Sequence, residues 1–122
     1  FRQANANAAN QLDYVCGLAE DSVEAFIFAQ ASSDQVPNSV WIVPEIGVDV
    51  TNAGSAQNHG NVNKTVANVG DVYMTGYVGI PGVGRHFLAW LEYSSALGIT
   101  TWYGDAGNAT LRETGIFESV FA

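Results

Sequence analysis

The chain has few basic residues and few charged residues of any kind. Only four of its 122 residues are Lys or Arg, against 12 acidic residues, and the net charge is −8. Nucleic-acid binding requires a basic patch that releases counterions, and anionic membranes attract proteins through a similar patch. Because four scattered cations cannot form such a patch, we expect no nucleic-acid partner and no membrane attraction.

The chain also contains few cysteine and histidine residues. Cys16 is the single cysteine, and His59 and His86 are the only histidines. Without paired cysteines or spaced Cys/His ligands, the sequence predicts no disulfide framework, no metal site and no cofactor. No apolar run approaches the roughly 20 residues of a membrane-spanning helix, so we expect no membrane insertion.

Catalytic motifs are absent as well. The glycine-rich stretch 76–84 lies between two candidate strands, whereas a phosphate-binding loop opens a helix. No nucleophile or metalloprotease motif occurs in the sequence. Asp105 and Glu113 bracket a turn and are the best candidates for paired carboxylates, but a turn Asp and a solvated Glu are the simpler interpretation. We therefore expect a non-enzymatic protein with no catalytic residues.

What the sequence does contain favours β-structure. Charged residues make up 13% of the chain, about half the usual share, while Gly, aromatic and neutral polar residues are abundant. This composition suits strands and tight turns, and its low charge indicates surface hidden against another chain. Turn signals separate the candidate strands 23–29, 40–50, 71–80, 85–93, 99–104 and 115–122. Residues 23–29 also fit a helix, although their contiguous aromatic and β-branched side chains favour a strand.

These strands predict an all-β chain, folded as an antiparallel, jelly-roll-like β-sandwich over residues 17–122. Residues 1–16 form a separate lead-in. Ala8, Leu12 and Val15 fall at i, i+4 and i+7, one face of a helix. The lead-in is either a short helix at the end of a stalk or a partly ordered arm.

Strand 85–93 is apolar on both faces. Phe87, Ala89, Leu91 and Tyr93 form an ordinary core face, so the alternating set would lie on the outside of a lone sandwich. That second set is His86, Leu88, Trp90 and Glu92. Strands buried on both faces need cover on both sides, which predicts that this set contacts another copy of the chain. The alternative is that Trp90, Tyr73 and Tyr77 line one thick core.

Aromatic side chains beside polar loops indicate a binding surface. An aromatic ring stacks on the C–H face of a sugar while amide and carboxylate groups bond its hydroxyls. The candidate binding residues are Trp41, Tyr77, Trp102, Tyr103 and Asp105. The long polar loop 51–63 is a second candidate, because such loops often carry function.

The C-terminal part of the chain resembles the receptor-binding knobs of tailed-bacteriophage tail fibres and tailspikes. The resemblance lies in GRHFLAWLEYSSALGITTWYGDAG (84–107) and TGIFESVFA (114–122), within residues 70–122, and is a pattern of strands and turns. It implies a homotrimer at the tip of a virion fibre that attaches to a host cell-surface receptor, a glycan or a protein. No residue-level role carries over.

Three other functions fit the same pattern. The first is a secreted, extracellular β-sandwich, either a lectin or a knob like those of the complement and tumour necrosis factor families. The second is a structural decoration protein of a virion without a receptor. The weakest is a small glycan hydrolase that uses Asp105 and Glu113.

Overall fold

The computed structural model describes residues 1–4, 10–35, 40–55, 58–59, 62–64, 67–95, 97–104 and 114–121, with the backbone alone at 58–59 and 62–64. Ten strands lie in these ranges. They are β1 (Arg2–Gln3), β2 (Gln11–Cys16), β3 (Ser22–Ser33), β4 (Val40–Val48), β5 (Asn58–His59), β6 (Val62–Lys64), β7 (Asp71–Gly79), β8 (Gly84–Ser94), β9 (Thr100–Tyr103) and β10 (Gly115–Phe121).

The strands form two antiparallel sheets of five strands each. The first sheet has the order β1-β8-β4-β6, with β2 also paired to β8. The second has the order β10-β3-β7-β5, with β9 also paired to β3. The predicted all-β class and antiparallel sandwich are confirmed, and a jelly-roll connectivity stays a prediction.

The core lies between the two sheets and is built on β3. Every second residue of this strand is small or β-branched and fully buried, and the list reads Val23, Ala25, Ile27, Ala29 and Ala31. The alanines leave room for the large side chains that pack against them, among them Trp90, Tyr73 and Trp102. The predicted strand at 23–29 is confirmed, and strict alternation is what a sheet with one core face requires.

The lead-in 1–16, predicted as either a short helix or a partly ordered arm, forms neither over its second half. Gln11–Cys16 is a strand paired with β8, from Gln11 opposite Ala89 to Cys16 opposite Gly84. Arg2–Gln3 also pairs with β8. The apolar spacing was misleading because Tyr14 and Cys16, both buried in the core, give the same segment an equally good alternation of period two.

The predicted inter-chain face of β8 is also corrected. Leu88 is fully buried and Trp90 is 8% exposed, and both pack in the core against the second sheet. His86 and Glu92 are two residues away from Leu88 and Trp90 respectively, so they lie on the same inner face of β8. The alternative of a single thick core is therefore right for Trp90 and Tyr73, which are buried in it, and for Tyr77, which packs against it. The side chains predicted to form the core face point outward instead. These are Phe87, Ala89, Leu91 and Tyr93.

A loop of the chain itself covers the centre of that outward face. The segment 49–55 folds back along β4, where the Ser55 N–H donates to the Ile46 carbonyl at 2.7 Å. The Val48 N–H donates to Ser55 Oγ at 3.1 Å. Glu45 and Leu91 are fully buried beneath this cover. The described part of the predicted functional loop 51–63 therefore shields an apolar sheet face.

The outer face of the second sheet has no such cover among the described residues. Large apolar side chains from three adjacent strands are exposed on it, and we call this surface the bare face. Its members are Phe26, Phe28, Val72, Met74, Val78, Phe117 and Phe121. The prediction of apolar side chains on the outside of the sandwich therefore applies to the second sheet. On β8, the predicted outer set lies in the core.

Candidate functional site

A cleft of about 620 Å³ opens where β1 and β8 of the first sheet face β9 of the second. Strand pairing builds each wall of the cleft. In the first sheet Arg2 lies opposite Glu92, and in the second sheet Trp102 lies opposite Ala31 of the core strand. We call it the tryptophan cleft. The residues that line it include Asn10, Trp90, Glu92, Thr100, Trp102 and Tyr103.

Two buried polar groups of the cleft lack a partner among the described residues. These are the indole Nε1 of Trp90 and the hydroxyl Oγ1 of Thr100. A buried donor or acceptor without a hydrogen bond costs about 1–3 kcal/mol. Both atoms belong to residues that line the cleft, so a ligand or an ordered water that reached them would supply the missing hydrogen bonds.

Glu92 supplies a carboxylate at the cleft wall. It is 7% exposed, and burial raises the pKa of its carboxyl, with Arg2 opposing the shift. The Arg2 guanidinium is 3.9 Å from Glu92 Oε2 and largely exposed. At that separation the guanidinium gives the carboxylate no short hydrogen bond, so its oxygens are suited to accept from a ligand hydroxyl.

Local hydrogen bonds hold the segments that line the cleft. The Tyr103 hydroxyl is 3.0 Å from Ser32 Oγ, and the Thr114 hydroxyl donates to the Tyr103 carbonyl at 3.1 Å. The Asn10 side-chain amide donates to the Ala4 carbonyl at 2.7 Å. Trp102 is half-buried and packs against both parts of the core, so its ring is positioned before any ligand arrives.

A smaller hollow of about 270 Å³ adjoins the cleft and shares Arg2, Glu92 and Trp102 with it. Phe1 and Tyr93 form its far wall, with ring centroids 5.5 Å apart. The cleft and the hollow therefore combine aromatic surfaces with a carboxylate, an amide and a hydroxyl. Such a mixture suits a neutral ligand that has apolar faces and many hydroxyl groups.

The structure brings together only part of the predicted binding set. Trp102 and Tyr103 line the tryptophan cleft, whereas Asp105 lies outside the described residues. Trp41 is 46% exposed on the outer side of β4, and Tyr77 packs against the core, where burial raises the pKa of its hydroxyl. Trp41 and Tyr77 are not cleft residues.

The other cleft residues could not be predicted as a binding set from their positions along the chain. Trp90 and Glu92 share a strand face, which alternation predicted, but their partners come from distant parts of the chain. Arg2 and Asn10 carry no motif. Arg2 reaches β8 by pairing with Glu92, and Asn10 directly precedes Gln11, which pairs with Ala89. Thr100 is one of many threonines. Only the three-dimensional pairing shows that they converge.

A second polar cluster lies near the start of β8. His86 Nδ1 is 2.7 Å from Asp49 Oδ2, and His86 Nε2 is 3.1 Å from the Gly82 carbonyl oxygen. The hydrogen bond to Asp49 raises the pKa of His86, and burial opposes it. Both partners only accept hydrogen bonds, so both ring nitrogens donate in the charged imidazolium. This arrangement ties the covering loop to the first sheet.

The described part of the chain contains neither a set of metal ligands nor a pair of carboxylates in the cleft. No group of three or more His, Cys, Asp or Glu side chains there is placed to hold a metal ion. Glu92 is the single carboxylate among the described residues that line the cleft, whereas glycoside hydrolysis uses a pair. Glu113, like Asp105, lies outside the described residues.

No protein-family model, no curated protein and no solved structure matches this chain. Within the described residues, no helix is long and apolar enough to cross a membrane. The resemblance to phage fibre knobs therefore stays a prediction, and the geometry of the tryptophan cleft carries the functional argument.

Proposed function

We propose that this chain is a saccharide-binding module that serves attachment to a glycan-bearing surface. One observation carries the proposal. The tryptophan cleft places the half-buried Trp102 ring beside two buried polar groups, Trp90 Nε1 and Thr100 Oγ1, that have no partner in the described chain. An aromatic platform with unsatisfied hydrogen-bonding groups beside it fits a sugar ring.

The charge of the protein narrows the ligand to neutral sugars. The net charge of −8 disfavours an anionic ligand, and Glu92 adds a carboxylate inside the cleft. The exposed Arg2 side chain is already beside Glu92. A neutral hexose unit donates hydroxyl hydrogen bonds to Glu92 without that electrostatic cost.

The setting of this activity follows from the resemblance of residues 70–122 to fibre knobs. We place the module at the tip of a virion fibre, where it binds a host cell-surface glycan, and a secreted lectin is the alternative setting for the same cleft. A structural virion protein without a receptor is the second candidate function. The bare face favours that role, because it is suited to assembly and is separate from the cleft.

A glycan array probed with the full chain, followed by titration calorimetry on the best neutral saccharide, tests the proposal. We expect Trp102→Ala to weaken binding at least tenfold. We expect Thr100→Val, which preserves shape but removes the hydroxyl, to weaken it about fivefold by the loss of one hydrogen bond. Trp41→Ala is the matched control, since Trp41 is an exposed tryptophan outside the cleft.

Circular dichroism establishes that each variant is folded. An array with no neutral saccharide above background would contradict the proposal. Equal loss of binding in Trp102→Ala and Trp41→Ala would contradict the assignment of the cleft.

A further inference from the structure

The bare face of the described structure is not explained by saccharide binding. It presents Phe26 and Phe28 of β3 between Val72, Met74 and Val78 of β7 and the two phenylalanines of β10. Register places these side chains in adjacent rows, with Phe28 opposite Met74 and Phe26 opposite Phe117. We infer that copies of this chain associate through this surface, bare face against bare face around a symmetry axis.

The exposed apolar area is close to what a stable interface needs. An aromatic side chain has about 150–250 Å² of surface, so the exposed fractions of the seven side chains amount to on the order of 600 Å². Monomeric proteins rarely expose a larger apolar patch, and a standard interface buries about 800 Å² per partner. The polar rim that surrounds the patch supplies the remaining area.

The composition of the face selects another copy of the chain as the occupant. Glu24 is the one charged residue among the described members of the β3 row, and no basic residue of the described chain lies on the face. An anionic membrane surface therefore has nothing to attract it. A flat antiparallel sheet with an apolar face packs well on a second such sheet, about 10 Å away, as in a sandwich.

The chain-wide charge content points the same way. Charged residues are 13% of the chain, about half the usual share, so much of its surface must be neutral polar or covered by another chain. Burying the bare face covers seven of the large apolar side chains that are exposed in the described structure. A two-fold axis joins two such faces in a dimer, and a three-fold axis turns three of them inward in a trimer.

The inference does not depend on the tryptophan cleft, because the two surfaces share no residue. Sedimentation equilibrium and native mass spectrometry of the full chain, from 1 to 100 μM, measure the association directly. Val72 on the bare face and Val15 on the first sheet are strand valines that are 67% and 68% exposed, so Val72→Glu and Val15→Glu form a matched pair. Met74→Glu adds a second change at the centre of the face.

We expect the wild-type chain to form a dimer or trimer whose association strengthens with salt, because salt screens repulsion between acidic copies. Val72→Glu and Met74→Glu should weaken association at least tenfold, while Val15→Glu leaves it unchanged. A wild-type chain that is monomeric at 100 μM would overturn the inference, whether another protein or a further segment of this chain covers the face. Equal effects of Val72→Glu and Val15→Glu would overturn it too. Saccharide binding would persist in either case.

Discussion

The outer faces of the two sheets have the same apolar character and different surroundings. On the first sheet, the loop 49–55 lies over Glu45, Gly47 and Leu91 at the centre of the outer face, while Val15 and Trp41 stay exposed. On the second sheet, Met74 and Phe117 stay half-exposed. A sheet that is apolar on both faces needs a second layer, and this layer can come from a loop or from another copy. The centre of the first sheet is thus covered within one chain, whereas we propose that another copy covers the second sheet.

The comparison first depends on which face of β8 forms the core. Leu88 is fully buried between the sheets, so Leu88→Ala should lower the free energy of unfolding by about 3 kcal/mol through lost burial and a residual cavity. Val78→Ala removes two methyl groups from the bare face and should cost less than about 0.5 kcal/mol at concentrations where the chain is monomeric. Urea denaturation at low protein concentration measures both.

If Leu88→Ala changed the association constant and left the monomer's unfolding free energy intact, Leu88 would belong to an inter-chain face. That result would restore the assignment that alternation in the sequence favoured. It would also remove the contrast between the two sheets.

The covering loop is open to a more local test at Gly47. An added Cβ would overlap the Val50 carbonyl oxygen and approach Leu91 Cδ1 to 3.0 Å, so Gly47→Ala should push the loop from the sheet. Overpacking of this kind costs about 2 kcal/mol. The first sheet should then bind a fluorescent apolar dye more strongly.

Gly17→Ala is the matched control for this change. A Cβ at Gly17 would have one ordinary contact, at 3.8 Å from Asp21 Oδ2. Stability and dye binding should stay close to wild type. Unchanged dye binding in Gly47→Ala would show that the loop is not what covers the face.

Strand positions were largely predictable from the sequence, because alternation and turn residues are local properties. Strand candidates at 71–80 and 85–93 agree with β7 and β8 within two residues. Orientation was not predictable on β8, since Leu88 and Trp90 on one face are as apolar as Ala89 and Leu91 on the other. Which pair lies in the core depends on the face of β8 that packs against β3 of the second sheet, and that contact is non-local.

The candidate site, too, could be predicted only as far as local sequence patterns reach. Aromatic residues near polar segments pointed to Trp102 and Tyr103, and both line the cleft. Alternation also placed Trp90 and Glu92 on one face, but it assigned that face to an interface. Their cleft partner Arg2 arrives through the pairing of β1 with β8. No property of an isolated Arg near the start of a sequence predicts that pairing.

The anchor of the covering loop should respond to pH. Since the Asp49 hydrogen bond raises the pKa of His86, the folded state favours the imidazolium. Its contribution to stability is fully present below about pH 6.5, the ordinary value for an unfolded histidine, and is lost as pH rises through the higher folded pKa. Thermal melts from pH 5.5 to 8.5 should show the melting temperature falling across that window.

The variant Asp49→Asn separates the carboxylate from the backbone geometry. Asp49 has a φ of 57°, which Asn also tolerates, and the Asn oxygen can still accept from the Phe87 N–H as Oδ1 of Asp49 does at 3.0 Å. The pKa of His86, followed by NMR with His59→Gln to assign the signals, should fall towards its ordinary value. The decline in melting temperature should then flatten. A His86 that titrates below pH 6.5 in the wild type would mean that this pair does not hold the loop against the first sheet.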